Sequence, residues 1–252
     1  IGALLAAASA TGTSPADLEG RAGRLRRRDL FRLNHYGMLV DRMRAPSLYD
    51  GEPLRTLVEG SVPDGTFAQL GASGGAPLLV GTVDIERGTQ VVWGLPGLDD
   101  VPVRDAVYAS CALPGFFPPG RVDGRVCVDG GTTDNMPVSI AAVGPGAPPL
   151  DAIVAVDVGN ADLTHDETIG SQGFASIFMR SASVMMHALQ EAPLARWAGP
   201  PMLLVRPRVS HIGWFAFGHV DELIDAGYRA AVAALRHMHE LLCAPGGIYP
   251  RR

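Results

Sequence analysis

Lysine is missing altogether. All 21 basic side chains other than histidine are arginine, set against 26 acidic ones for a net charge of −5. That balance carries no basic footprint of the kind a nucleic acid needs, so no nucleic-acid partner is expected. Cysteine is scarce: Cys111, Cys127 and Cys243 lie far apart and form no CxxC. They exclude a disulfide framework or a zinc site and read as small buried thiols. The seven histidines show no ligand spacing; His237 and His239, two apart, point to different helix faces. No metal or cofactor is expected. No apolar run approaches the roughly 20 residues of a membrane span. Residues 1–10 are apolar but too short for one, and they lack the basic leader of a signal peptide. Repeats, linkers and low-complexity tracts are also absent, so residues 1–252 read as one domain with ample sequence for a core. An opening Ile in place of Met points to a segment upstream.

What is present reads as strands alternating with helices. Ile1, Leu4, Leu5 and Ala8 recur at helical spacing, and Ser14-Pro15-Ala16-Asp17 caps a second helix whose arginines, Arg24 to Arg28, suit a helix end. Residues 29–61 continue as helix with breaks at Pro46 and Gly51. Leu78 to Val83 reads as a buried strand paired with Thr89–Trp93, and Asp84 shapes their hairpin. Val103 to Ala112 is a short helix. Asp123-Gly124 marks a tight hairpin, and Pro137 starts a helix through Val143. Residues 151–158 (DAIVAVDV) form a near-continuous apolar strand, expected when helices cover both faces; Asp157 caps its end. A long helix over 173–198, a strand over Met202–Val205 and a helix over 219–243 complete the chain. The last helix carries an apolar stripe through Val220, Leu223, Ile224, Gly227, Ala231, Leu235, Met238 and Leu242. Such alternation predicts a three-layer α/β/α sandwich.

The stretch with the most chemistry is Val126-Cys127-Val128-Asp129-Gly130-Gly131, followed by Asp134-Asn135-Met136-Pro137. A strand delivers a carboxylate to a turn whose glycines allow positive φ and close approach to another group. Strand ends are where rigidly mounted side chains commonly do chemistry. Gly71-Ala72-Ser73-Gly74-Gly75 matches Gly-x-Ser-x-Gly, but a helical piece precedes Ser73 and a strand follows Pro77. A nucleophile elbow needs strand, serine, helix in that order, so Ser73 reads as a flexible loop residue.

Three blocks resemble the patatin-like phospholipase family, in its bacterial type. Ala109-Ser110-Cys111-Ala112-Leu113-Pro114-Gly115-Phe116-Phe117-Pro118-Pro119 is similar to the family's Ala-Ser-x-Ala-x-Pro-x-x-Phe-Pro-Pro. Asp129-Gly130-Gly131 with Asn135-Met136-Pro137 resembles its Asp-Gly-Gly/Ala block. Ile1-Gly2-Ala3-Leu4 looks like the tail of its Gly-x-Ser-x-Gly-Ala-Leu elbow. The resemblance, over about 130 residues, implies a serine lipid acyl hydrolase working through an acyl-enzyme. It makes Asp129 the general base of a Ser–Asp dyad and puts the serine directly before Ile1. It also implies that the first strands, the glycine-rich oxyanion loop and the elbow precede this chain, which alone would be inactive.

Gly2, Gly130, Gly131 and Ser110 would support the site. The aromatic loops holding Phe116 and Phe117, and Trp214 and Phe215, are candidates for contact with an acyl chain, with core packing under a loop as the competing reading. His211, before the second loop, reads as surface or packing. The partner implied is a lipid or ester, met at a membrane surface, which places the protein in the cytoplasm or at a membrane periphery. The alternatives are an acyltransferase on the same fold and a catalytically silent lipid-binding protein.

Overall fold

The computed structural model describes residues 1–34, 45–74, 76–142, 150–159, 167–213 and 215–243. Its contacts divide the chain into two compact units, 1–135 and 136–252, each described by itself.

In the first unit α1 (Gly2–Ala10) is followed by α2 (Pro15–Arg24), α3 (Arg27–Leu30), α4 (Glu52–Ser61) and α5 (Phe67–Ala72). α2 starts as expected: the Ser14 hydroxyl oxygen accepts from the Asp17 N–H at 3.1 Å. α1 buries Leu4, Ala7 and Ala8 and leaves Ile1 and Leu5 exposed. The face read from the periodicity is therefore rotated, because α1 packs on α4 and on a later helix through small alanines. The helix expected across 29–61 does not form throughout. Leu33 bridges Tyr49, and the N–H groups of Leu48 and Tyr49 donate to the carbonyls of Gly115 and Phe116 at 2.9 Å. Extended backbone wins there because it lets Phe31 and Tyr49 reach the ring of Phe117, at 5.6 and 6.1 Å between centroids.

β1 (Val80–Asp84), β2 (Thr89–Trp93), α6 (Val103–Cys111), β3 (Gly120–Val122) and β4 (Arg125–Asp129) complete the unit. The four strands form one antiparallel sheet in the order β2-β1-β4-β3. Both hairpins stand where the sequence puts them. Asp123 and Gly124 take φ of 47° and 70°, the doubly left-handed turn that two-residue loops prefer. Asp84 is fully buried; it accepts from the N–H groups of Glu86 and Arg87 at 3.1 Å and pairs with the guanidinium groups of Arg87 and Arg125. Arg87 foremost holds its carboxyl below the usual range. α6 is buried nearly all round, since it packs across β1, β3 and β4 as well as under α1 and α4.

In the second unit α7 (Val138–Ala142), β5 (Ile153–Val156), α8 (Phe174–Ala195), β6 (Met202–Val205) and α9 (Val220–Cys243) follow. Val143 lies outside the described residues. β5 and β6 pair in parallel. Met136, Val138 and Ala155 form a small core with Leu194, Trp197, Met202 and Leu204 packed on it. β5 departs from expectation: Ile153, Ala155 and Asp157 are buried, whereas Val154, Val156 and Val158 on its other face are 56–67% exposed. α9 packs on β6, yet Leu223 and Leu235 of its expected stripe lie at the exposed edges of that face.

Candidate active site

The carboxylate of Asp129 is positioned by three neighbours within the first unit. The N–H of Asp129 donates to the carbonyl of Ala112, just past the end of α6, at 3.1 Å. β1 pairs with β4 up to Thr82 opposite Asp129. Beyond that pair the chain turns into a single 3₁₀ turn over Gly130–Thr132, and Asp129 Oδ1 accepts from the Gly131 N–H at 2.8 Å.

Neither glycine of the turn adopts positive φ, contrary to the sequence reading; close approach alone explains them. A Cβ on Gly130 would stand 2.5 Å from the carbonyl oxygen of Gly81 in β1. One on Gly131 would meet Asn135 Oδ1 at 2.9 Å and Asp129 Oδ1 at 3.2 Å. The turn is thus wedged between a strand backbone and the carboxylate it presents.

Burial pushes the Asp129 carboxyl above the usual range, offset in part by the ammonium of Ile1 and the Gly131 N–H. For the Ile1 ammonium burial acts to lower the pKa, but the Cys111 sulfur beside it and the Asp129 carboxylate raise it overall. The packing of α1 on α6, and the Asp129 N–H held by Ala112 at the end of α6, put the first nitrogen of the chain within electrostatic reach of the Cys111 thiol and the Asp129 carboxylate. Gly2 opens α1, with nothing within 4 Å of a Cβ built on it. Ser110 is buried in the last turn of α6. Cys111 as a neighbour of residue 1 had no signal in the sequence, because α1 and α6 are a hundred residues apart in the chain and meet only through tertiary packing.

The remaining candidates sit elsewhere. Phe117 is buried and Phe116 partly so, both against Tyr49, with ring centroids 6.1 and 6.0 Å away. Trp214 lies outside the described residues. Phe215 is half-buried in the second unit. Ser73 follows α5, and its hydroxyl donates back to the Leu70 carbonyl at 2.8 Å, so no strand leads into it. His211 and His219 are exposed and flank the carboxylate of Glu222 at 2.9 Å each, which holds that carboxyl below its usual range. Asp157 bonds to Gln190 and to Arg206 Nε, the latter at 2.7 Å, and caps its strand as expected. Cys111 and Cys127 are buried free thiols, and burial pushes that of Cys127 up; Cys243 lies outside the described side chains. Among the described residues no helix is long and apolar enough to cross a membrane.

Comparison with known proteins bears on this arrangement. Lysophospholipase NTE1 of Pyricularia oryzae is 28% identical over 157 residues, covering 53% of this chain and 10% of that protein. Lysophospholipase nte1 of Aspergillus fumigatus is 34% identical over 140 residues, 48% of this chain and 9% of its own length. That of Neurospora crassa is 27% identical over 154 residues, 53% and 10%. The chain thus spans about a tenth of the curated relatives it matches. The family model described as patatin-like phospholipase matches residues 1–142, which hold α1, the end of α6 and the whole Asp129 turn. An α/β chain with that match over more than half its length belongs to the patatin-like phospholipase family.

Proposed function

We propose that this chain is the base-bearing part of a serine lipid acyl hydrolase, with Asp129 as general base and with the nucleophilic serine supplied by the residue that precedes Ile1 in a longer polypeptide. The observation that carries the reading is that α1 packs on α6, just past whose end the Ala112 carbonyl holds the Asp129 N–H at 3.1 Å, so that the chain's first nitrogen and the Asp129 carboxylate act on each other. In an extended polypeptide that nitrogen is an uncharged amide, and the ammonium that now lowers the Asp129 pKa is gone. Burial then acts against the Gly131 N–H alone, which makes the carboxylate a stronger base than a solvated aspartate of pKa about 3.9.

The chemistry follows. The Asp129 carboxylate takes the serine proton as Oγ attacks the ester carbonyl, and the alcohol leaves with a proton from Asp129. Water then attacks the acyl-enzyme with Asp129 again as base, and Asp129 hands that proton to the serine Oγ as its bond to the acyl group breaks and the fatty acid leaves. The first N–H groups of α1 have no intrahelical partners and no acidic residue stands in its first turn, so its positive end can stabilise the developing oxyanion. The substrates are lipid esters, as the names of the relatives indicate for those proteins. Residues 1–252 alone carry no elbow serine and have no ester hydrolase activity of their own. The test compares the 252-residue protein with an upstream-extended polypeptide on p-nitrophenyl esters. The reading expects turnover only in the extended form and loss of at least about 10⁴-fold in its Asp129→Asn variant, the lower end of what removing a triad member costs. Turnover by the short form that Asp129→Asn abolishes, or an active Asp129→Asn variant of the extended form, contradicts it.

A further inference from the structure

Six of the chain's 21 arginines fall within twelve residues: Arg21, Arg24, Arg26, Arg27, Arg28 and Arg32. All six are exposed. One carboxylate, Asp29, stands among them, so residues 21–32 carry a net charge of +5 in a chain whose total is −5. The stretch folds as the last turn of α2, a short link, the single turn of α3 and two residues beyond, a path of at most roughly 28 Å.

Local structure accounts for two of the six. α2 ends at Arg24, and its C-terminal end favours the cations of Arg21 and Arg24. Arg26, Arg27 and Arg28 lie past it, at the start of α3, where a helix favours a carboxylate; Asp29 fills that place by accepting from the Arg26 N–H at 2.8 Å. Contacts leave the charge standing. Arg21 and Arg26 donate to the backbone carbonyls of Gly60 and Gly23 at 3.1 and 3.2 Å, which remove none of it. Arg28 stands 3.9 Å from Asp29 and Arg32 3.8 Å from Asp50, with the arginine side chains 90 and 65% exposed, and such pairs hold little in water. Arg27 is partnered too; the field of the stretch depends on its charge balance, which is still +4 with Asp50 counted, and not on any one side chain being unpaired.

The stretch is fixed beside the candidate site. The Phe31 ring lies 5.0 Å from that of Tyr49 and 5.6 Å from that of Phe117, in the loop that leaves α6 at Ala112, whose carbonyl holds the Asp129 N–H. Next to Arg32, Leu33 is 43% exposed, and Leu48, whose carbonyl accepts from the Asn34 N–H, is 37% exposed. A polyanion in solution would use the arginines alone. An anionic bilayer offers phosphates for the guanidinium groups, an acyl boundary for the leucines, and lipid to the neighbouring site. We infer that residues 21–33, with Leu48, form a docking surface for a bilayer that carries anionic phospholipid. The inference takes from the proposed function only that the substrate is lipid; the role of Asp129 has no part in it.

Co-sedimentation of the 252-residue protein with phosphatidylcholine vesicles, with and without phosphatidylserine, tests this. Binding is expected to the phosphatidylserine vesicles and should fall as salt rises. At about fivefold for each arginine near an anionic surface, Arg24→Gln with Arg28→Gln should weaken it about 30-fold. Leu33→Ser should weaken it a few-fold and leave the salt dependence as it was. Arg229→Gln with Arg236→Gln removes the same charge from exposed positions on α9 and should leave binding within about twofold. Should circular dichroism show the first pair of substitutions to unfold the protein, Arg26→Gln with Arg32→Gln reads the same surface. Equal binding with and without phosphatidylserine, no binding to either vesicle, an arginine variant of this stretch that binds like the parent, or retention on RNA without vesicle binding would each overturn the inference. Sedimentation reads docking and not turnover, so its failure leaves the hydrolase reading standing, and an inactive extended enzyme leaves the docking surface standing.

Discussion

Alanine at position 130 puts a methyl carbon 2.5 Å from the Gly81 carbonyl oxygen and 2.8 Å from its carbonyl carbon, roughly an ångström inside ordinary contact. Both atoms belong to the backbone of β1, an inner strand paired on one side with β2 and on the other with β4, so neither can move alone. Either the Asp129 turn lifts away from the sheet or the pairing of Thr82 with Asp129 breaks. Overpacking of this kind costs about 1–3 kcal/mol, and two unyielding backbone atoms put Gly130→Ala near about 3. For a chain of this size that lowers Tm by about 6–12 °C. Gly131→Ala is the informative contrast. Its methyl meets side-chain oxygens of Asn135 and Asp129 rather than backbone, and a small rotation of those side chains relieves it, so stability should fall less than in Gly130→Ala, by about 1 kcal/mol. The same rotation misaims the carboxylate, and activity in an upstream-extended enzyme should fall by about 10² or more, the scale of an ångström's misplacement. Gly2→Ala meets nothing and should be neutral or slightly stabilising. Urea denaturation of the three variants is the assay. A Gly130→Ala protein as stable as the parent, or less affected than Gly131→Ala, refutes the close-approach account of the turn.

Other expectations follow from single contacts. Asp129→Asn should stabilise the fold at neutral pH, because a raised native carboxyl pKa favours folding below the unfolded pKa and costs stability as pH rises through the native one. The gain in Tm should shrink toward zero below about pH 4, and a pH-independent gain contradicts the sign. The depressed carboxyl of Asp84 predicts the reverse: its contribution is complete above the ordinary carboxylate range and is lost as pH falls through the native pKa, so Asp84→Asn should match the parent only in acid. Trp93→Phe removes the buried bond from the indole N–H to the Thr82 hydroxyl, 2.8 Å, and should cost about 1–3 kcal/mol by denaturant titration. Arg206→Met leaves Asp157 buried without its cation; because the arginine is itself partly solvated, about 2 kcal/mol is expected, read as loss of protection on α8 by hydrogen exchange.

Local chemistry made much of this legible. Asp123-Gly124 specifies its hairpin because both residues tolerate left-handed φ, and Ser14, Pro15 and Asp17 specify a helix start without help from the rest of the chain. Asp129 was readable as a mounted carboxylate because strand and turn are contiguous. Where tertiary contacts decide, the reading failed. Residues 31–34 and 45–50 are extended because their partners, Gly115 to Phe117, lie far along the chain. The alternation of β5 was hidden by a sequence apolar on both faces. The glycines of the Asp129 turn announced an unusual backbone, and only the position of Gly81 shows that space was the reason.

The central claim is that the partly buried carboxylate of Asp129 serves a serine directly before Ile1. A fluorophosphonate probe applied to the upstream-extended polypeptide, followed by peptide mapping, tests it most directly. The account predicts one modified residue, the serine joined to Ile1, with labelling abolished in Asp129→Asn. Modification of Ser73 or Ser110 in its place, or unchanged labelling without the carboxylate, would contradict it.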